Sequence, residues 1–155
     1  MVGMIEGIPN TILEPTAGAG NLVDSIKNKF PECKIITPED IYKYHPRRES
    51  IDWVLSNPPF TPMIKGFEIL KRVRTGCKKI IILLPWLLLI NSKERTNWFL
   101  RNGLCEIIHL PRAVFKGSRV QTCIMKFLPE DSDWVKLTFA ERIKHKEITP
   151  LEGDL

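Results

Sequence analysis

No C-x-x-C pair occurs in this 155-residue chain, and Cys33, Cys77, Cys105 and Cys123 have no neighbouring histidines at metal-ligand spacing. That excludes the usual zinc-ribbon and zinc-finger layouts, so no metal is expected and the four cysteines read as buried thiols. No N-terminal apolar segment resembles a secretion signal, and the longest greasy run, Ile80 to Ile90, is broken by Pro85 and too short for a bilayer. A cytoplasmic, reduced protein with no membrane partner is expected. Internal repeats, low-complexity stretches and the depleted composition of disorder are missing too. What is present is 43% apolar residues, which at this length can enclose one core and not two. A single domain over 1–155 is expected.

The formal charge of +5 favours a polyanionic partner such as nucleic acid. Basic residues gather at Lys43 to Arg48, Lys71 to Lys79, Arg112 to Arg119 and Arg142 to Lys146. A solvated surface accounts for each cluster taken alone.

Strand and helix signals alternate, which implies an α/β sheet. Thr11 to Leu13 reads as a short strand running into Pro15 and a glycine-rich turn. Leu22, Val23, Ile26 and Phe30 stand at helical spacing before Pro31. Lys34 to Thr37 and Ile51 to Ser56 read as strands, the latter stopped by Pro58-Pro59. Ile64 to Arg74 has helical periodicity, Lys79 to Leu84 suits a central strand, and Trp86 to Asn102 is predicted mostly helical before Gly103. Cys105 to Leu110 and Gln121 to Leu128 follow as strands joined by a basic loop, with one further possible strand at Trp134 to Phe139.

Two places carry chemistry, each at the carboxyl end of a predicted parallel strand, where ligands bind in doubly wound sheets. The first is Glu14-Pro15-Thr16-Ala17-Gly18-Ala19-Gly20-Asn21. Its glycines let a flat cofactor approach the main chain, and Glu14 can hold a cationic or hydroxyl-bearing part of it. The third glycine of a dinucleotide fingerprint and the Gly-Lys-Ser/Thr ending of a P-loop are absent; a plain strand-to-helix turn would look the same. The second place is Ser56-Asn57-Pro58-Pro59-Phe60. An amino group on an aromatic ring is a poor nucleophile because its lone pair is delocalised. The Asn57 amide oxygen and Pro58 carbonyl can accept its two hydrogens and draw the nitrogen towards tetrahedral geometry. Two prolines hold those acceptors rigidly, and Phe60 offers a face for an extruded base.

These residues resemble the amino-methyltransferases of DNA, with Glu14-Pro15-x-x-Gly18-x-Gly20 as cofactor motif and Asn57-Pro58-Pro59-Phe60 as catalytic motif. The order of motifs is that of the N6-adenine enzymes. Ile80 to Pro85, Ile107 to Pro111 and Phe115 to Ile124 continue the likeness, the last being similar to type I modification subunits; residues 11 to 128 are covered. The resemblance implies a Rossmann-like class I methyltransferase sheet with flanking helices and a reversed last hairpin. It also implies S-adenosylmethionine as donor and direct methyl transfer to adenine N6. By that likeness Glu14, Pro15, Thr16, Ala17, Gly18, Gly20, Asn21 and Asn57 belong to the cofactor site. Asn57 and Pro58 grip the amino group, with Pro59 and Phe60 completing the catalytic set, and Arg112, Lys116 and Arg119 are available for phosphates.

Three departures stand out. Ser56 follows Gly20 by only 36 positions, so about one strand-helix unit is missing. The segment Glu39-Asp40-Ile41-Tyr42 then follows the second strand, and Asp40, with Glu39 second and Ile41 beside them, is the expected further cofactor contact. Its role, towards ribose hydroxyls or the cofactor's adenine, stays open. No target-recognition domain fits after Pro129, and residues 1 to 10 hardly form the helix that closes the cofactor site in relatives. A partner subunit or homodimer could complete recognition, in a compact form suited to a phage or defence island. RNA adenine is the rival substrate, and a degenerate, non-catalytic binding subunit the rival class. Trp53, Trp98 and Trp134 read as core or interface residues, Trp86 as a possible pocket wall. His45 and His109 are assigned no chemistry.

Overall fold

Short apolar runs too brief to span more than a few residues build the sheet from the middle outward. The computed structural model describes residues 1–45, 50–114, 120–129 and 134–140. Within these, β1 (Thr11–Leu13), β2 (Lys34–Ile36), β3 (Trp53–Ser56), β4 (Ile80–Pro85), β5 (Leu104–His109), β6 (Thr122–Phe127) and β7 (Lys136–Phe139) form one sheet, ordered β2-β1-β3-β4-β6-β5-β7. β4 is buried along its whole length, as an unbroken apolar run with both faces covered requires. β1 lies parallel to β2 on one side and β3 on the other, and β3 is parallel to β4. β6 is antiparallel to both β4 and β5, while β7 lies parallel to β5 at the rim. The carboxyl ends of β1, β3, β4, β5 and β7 therefore share one edge.

Among the described residues four α-helices flank this sheet: α1 (Asn21–Lys29), α2 (Ile64–Arg74), α3 (Trp86–Ile90) and α4 (Lys93–Arg101). Pleating sends alternate residues to opposite faces. Trp53, Leu55 and Ile81 pack with Ile26 of α1 and with Ile5 on one side. Val54, Ile80, Ile82 and Leu84 pack with Phe67, Leu70, Val73, Leu88 and Phe99 on the other. The helix expected across 86–102 is broken at Asn91-Ser92. Ser92 takes extended backbone, and its hydroxyl accepts from the Arg95 N–H at 3.3 Å, starting α4 afresh.

β2 forms one edge of the sheet. β2 pairs directly beside β1, and among the described residues no helix lies between β2 and β3. The connection instead turns at residues 41–44 against α2, where Arg72 donates to the carbonyl oxygens of Ile41, Tyr42 and Tyr44 at 3.3, 3.1 and 2.6 Å. At the opposite edge, β7 brings the strand count to seven.

Two further expectations are corrected. Cys77 and Cys123 are buried, but Cys33, in the turn before β2, and Cys105, near the β7 rim, are partly exposed. Trp53 is in the core and Trp98 packs edge-on against Phe67 at 5.1 Å, but Trp134, entering a rim strand whose four residues are all exposed, is itself 68% exposed. No helix among the described residues is long and apolar enough to cross a membrane.

The first residues form a 3-10 turn, Val2–Met4, followed by Glu6, which pairs with the buried Lys126 ammonium over the Trp53 ring. Glu6 itself is largely exposed and well hydrated, so its partner has more to lose. Glu6→Gln is expected to cost about 1 to 2 kcal/mol by urea unfolding. Lys126→Met, which removes the buried charge while keeping the stem, is expected to be neutral or stabilising.

Candidate functional site

The cleft begins where β1 stops. The Glu14 N–H still reaches the Ile36 carbonyl at 2.9 Å, but Pro15 has no N–H to offer, and the chain leaves the sheet. Gly18 and Gly20 have φ of 52° and 86°, left-handed conformations that side chains strain to adopt, and with them the loop folds back into α1. Beneath the loop, Glu14 is 1% exposed. Its Oε1 accepts from the Thr16 N–H at 2.9 Å and from the Thr16 hydroxyl at 3.2 Å. The Thr16 and Ser56 hydroxyl oxygens are themselves 2.9 Å apart. Burial pushes the Glu14 carboxyl up to about 7, against the lowering effect of the Thr16 and Ser56 hydrogen bonds.

The β2 end supplies the second wall. Asp40 Oδ1 accepts from the Tyr42 N–H at 2.8 Å, and the Asp40 carbonyl accepts from the Lys43 and Tyr44 N–H groups, closing the turn that Arg72 pins. Glu39 is exposed beside it. From β3 comes the third wall: Ser56 and Pro58 are buried, Asn57 and Pro59 exposed, and Phe60 half-buried. Pro58 seats against α2 because residue 66 is glycine; a Cβ there would stand 2.7 Å from Leu84 Cδ2 and 3.3 Å from Pro58 Cγ.

These walls enclose a cleft of about 780 Å³. Pro15, Thr16, Ala17 and Gly18 line it from the first loop. Thr37 to Tyr42, including Glu39, Asp40 and Ile41, line it from the second, and Asn57 and Pro59 from the third, with Lys65 and Ile69 of α2 behind. A second pocket of about 410 Å³, mainly apolar, lies between Met1, Val2, Asn21 and Leu22 on one side and Leu83, Leu110, Val114 and Ile124 on the other. Asn57 lines both.

Nine of the residues singled out in the sequence thus meet at one cleft: Pro15, Thr16, Ala17, Gly18, Glu39, Asp40, Ile41, Asn57 and Pro59. Glu14 lies under the cleft rather than in it. Gly20, Pro58 and Phe60 line neither space, and Asn21 faces the second pocket. Arg112 is exposed in the turn after β5; Lys116 and Arg119 lie outside the described residues. Thr37, Pro38, Lys65 and Ile69 went unnoticed in the sequence. The only signal for the first two is that they follow β2 as Pro15 follows β1. No group of three potential metal ligands occurs among the described residues.

No protein-family model and no curated protein matches the chain. Solved structures do resemble it. A Vibrio vulnificus YJ016 protein, assigned to a type I restriction enzyme as its modification subunit, superposes with a TM-score of 0.74 over 93% of this chain and 45% of its own, at 13% identity. The type I restriction-modification methyltransferase subunit of Streptococcus thermophilus gives 0.59 over 76% and 39%, at 16% identity. A Listeria monocytogenes protein assigned as a class I S-adenosylmethionine-dependent methyltransferase gives 0.60 over 89% and 60%, at 14% identity. The fold is that of the class I methyltransferases, and the chain spans less than half the length of the first two.

A carboxyl raised from 4.5 to about 7 by folding binds its proton more tightly in the native state. Its contribution to stability is complete below pH 4.5 and is lost as pH rises through 7, a change of roughly 3 kcal/mol. Urea unfolding of wild type is expected to show this decline. Glu14→Gln, which keeps the acceptor for Thr16, should flatten the profile over that window.

Proposed function

We propose that this chain carries the catalytic domain of an S-adenosylmethionine-dependent methyltransferase that modifies the N6 amino group of adenine in DNA. The observation that carries the reading is the position of Asn57, whose residue lines both a nucleoside-sized cleft and a separate apolar pocket. A transferase needs donor and acceptor on opposite sides of one group, and a cleft of this volume suits a small-molecule donor.

The cleft residues fit S-adenosylmethionine. Glu39 and Asp40 are carboxylates at the end of β2, suited to accept from ribose hydroxyls. Ile41, Tyr42 and Ile69 supply a wall for a flat base, and the glycine turn offers main chain without side-chain obstruction. Asn21 opens α1 on the side of the second pocket, and Glu14 acts from below by holding Thr16. When bound, the cofactor would supply an electrophilic methyl group on a sulfonium centre.

The chain's own residues would ready the acceptor. The Asn57 amide oxygen and the Pro58 carbonyl accept the two amino hydrogens, so the nitrogen lone pair is freed from the ring. Pro58, wedged on α2, and Pro59 keep those acceptors from relaxing. Phe60 offers a ring face to the base, which must leave its helix to reach the site. Arg112, with Lys116 and Arg119, would neutralise phosphates. Target recognition would come from a partner subunit or a second copy.

Calorimetric titration with S-adenosylmethionine is expected to show micromolar binding, abolished by Gly18→Arg at a cleft-lining position whose φ is 52°. Asn57→Ala should retain binding while losing about 100-fold or more in methyl transfer. Mass spectrometry of DNA and RNA oligonucleotides after incubation identifies the product. Methyladenine in RNA alone would move the substrate, and absence of methyladenine in both, with cofactor bound, would refute the reading.

A further inference from the structure

Ser56 closes β3, a strand in which every residue is buried, and it is the one hydroxyl among a tryptophan and two aliphatic side chains. A hydroxyl taken out of water costs free energy unless a partner replaces the water it loses, and alanine would fill the position at no such cost. Ser56 finds its partners at the end of β1. Its Oγ lies 2.9 Å from the Thr16 hydroxyl oxygen, and its hydrogen bond to Glu14 helps hold that carboxyl down against burial. Thr16 is tied in turn to Glu14 Oε1 through both its N–H and its hydroxyl.

The sheet itself does not lace this junction. The β1–β3 ladder ends at the pair Leu13 and Val54, two residues short of Ser56. Beyond that pair the two strands turn to different neighbours: the Glu14 N–H bonds to Ile36 of β2, while Ser56 pairs with Ile82 of β4. The loop after β1 is therefore fastened by backbone to β2, and the residue before Asn57 to β4. The side-chain bridge of Glu14, Thr16 and Ser56 crosses the gap between them. Thr16 stands on the wall of the larger cleft, and Asn57 lines both spaces. One hydroxyl contact thus connects the loop that would hold a donor with the neighbour of the residue that would hold an acceptor.

We propose that Ser56 is a positioning residue for methyl transfer, its contact with Thr16 setting the distance between the cleft loop and Asn57. This rests on the reading that the cleft takes the donor and Asn57 the acceptor. Ser56 is fully buried and lines neither space, so it acts through Thr16 and touches no ligand. The cleft wall is spread over three loops and α2, and donor binding should survive the loss of one hydroxyl beneath it. Transfer is more demanding. The reacting atoms must approach to about 3 to 3.5 Å, and a misplacement of about 1 Å costs roughly 100-fold.

The test uses the full chain, S-adenosylmethionine and an adenine-containing oligonucleotide. Ser56→Ala is expected to bind S-adenosylmethionine within about threefold of wild type by calorimetry, while single-turnover transfer at saturating donor falls about 10- to 100-fold. Thr16→Val, which removes the other hydroxyl at nearly constant shape, should lower transfer similarly, and Thr16→Ser, which keeps it, should restore the rate. Since each change breaks the same contact, the double variant should be no slower than the slower single one. With no ligand present, hydrogen exchange at the Thr16 and Gly20 amides should be about tenfold faster in Ser56→Ala, with the β4 amides unchanged. Wild-type transfer in Ser56→Ala, losses that multiply in the double variant, a fall in donor affinity as large as the fall in rate, or unchanged exchange overturns the proposal. Should Ser56→Ala not fold, the two Thr16 variants, at a half-buried position, decide by the same rate and affinity criteria. The two readings fail differently. No methylation by wild type removes the enzyme and this role with it, whereas methylation by Ser56→Ala at the wild-type rate removes the role alone.

Discussion

A carboxylate and two hydroxyls under the cleft hold its halves together. The loops after β1 and β3 each leave the sheet at proline, so neither is restrained by ladder hydrogen bonds beyond the strand end. Within the first loop the main chain closes only one short contact, Gly20 N–H to the Ala17 carbonyl at 2.8 Å. The link from Glu14 through Thr16 to Ser56 supplies the missing restraint and runs across the two strands. Glu14 and Ser56 are buried, with Thr16 half-buried at the cleft wall, so leaving either buried group without its partner would be expensive. Asn57 inherits its place from this arrangement, being the next residue after Ser56.

The second half of the cleft is held differently. A crossover between parallel strands on either side of β1 is ordinarily covered by a helix, whose own hydrogen bonds satisfy its backbone. Here the turn at 41–44 leaves carbonyls pointing at α2, and a single guanidinium, with several donors in a fixed plane, satisfies three of them. Lysine would bring a point charge and could not span that fan. Ile41, buried below the turn, adds the apolar contact that keeps it seated.

Most of this was legible in the residues. β1 and α2 have the bounds that alternation, periodicity and flanking proline and glycine indicate, and the two motifs fall at strand ends because proline stops ladders. The break between α3 and α4 was not legible. Ser92 caps α4 without the acidic partner three residues on that marks a capping box, since Arg95 stands there, and the surrounding leucines read as one helix. Glu14 looked like a ligand residue because a carboxylate at a strand end normally faces the opening. Its partners are Thr16, two residues on in the chain, and Ser56, which only folding brings near. Lys65 and Ile69 reach the cleft because α2 leans in over Gly66, a tertiary approach with no linear signature.

β2 stands at the rim of the sheet, where a change of length disturbs little inside. A strand removed from the middle of a sheet takes two ladders with it and forces the chain to be rethreaded, whereas one removed from the rim takes a single ladder. What remains exposed at β2 is three residues long and opens on a lysine, too short and too charged to recruit a stray strand. The sheet is therefore tolerant at its circumference and intolerant at its centre. Lengthening or grafting the chain beyond Ile36 should disturb the cleft far less than any change between Trp53 and Pro85.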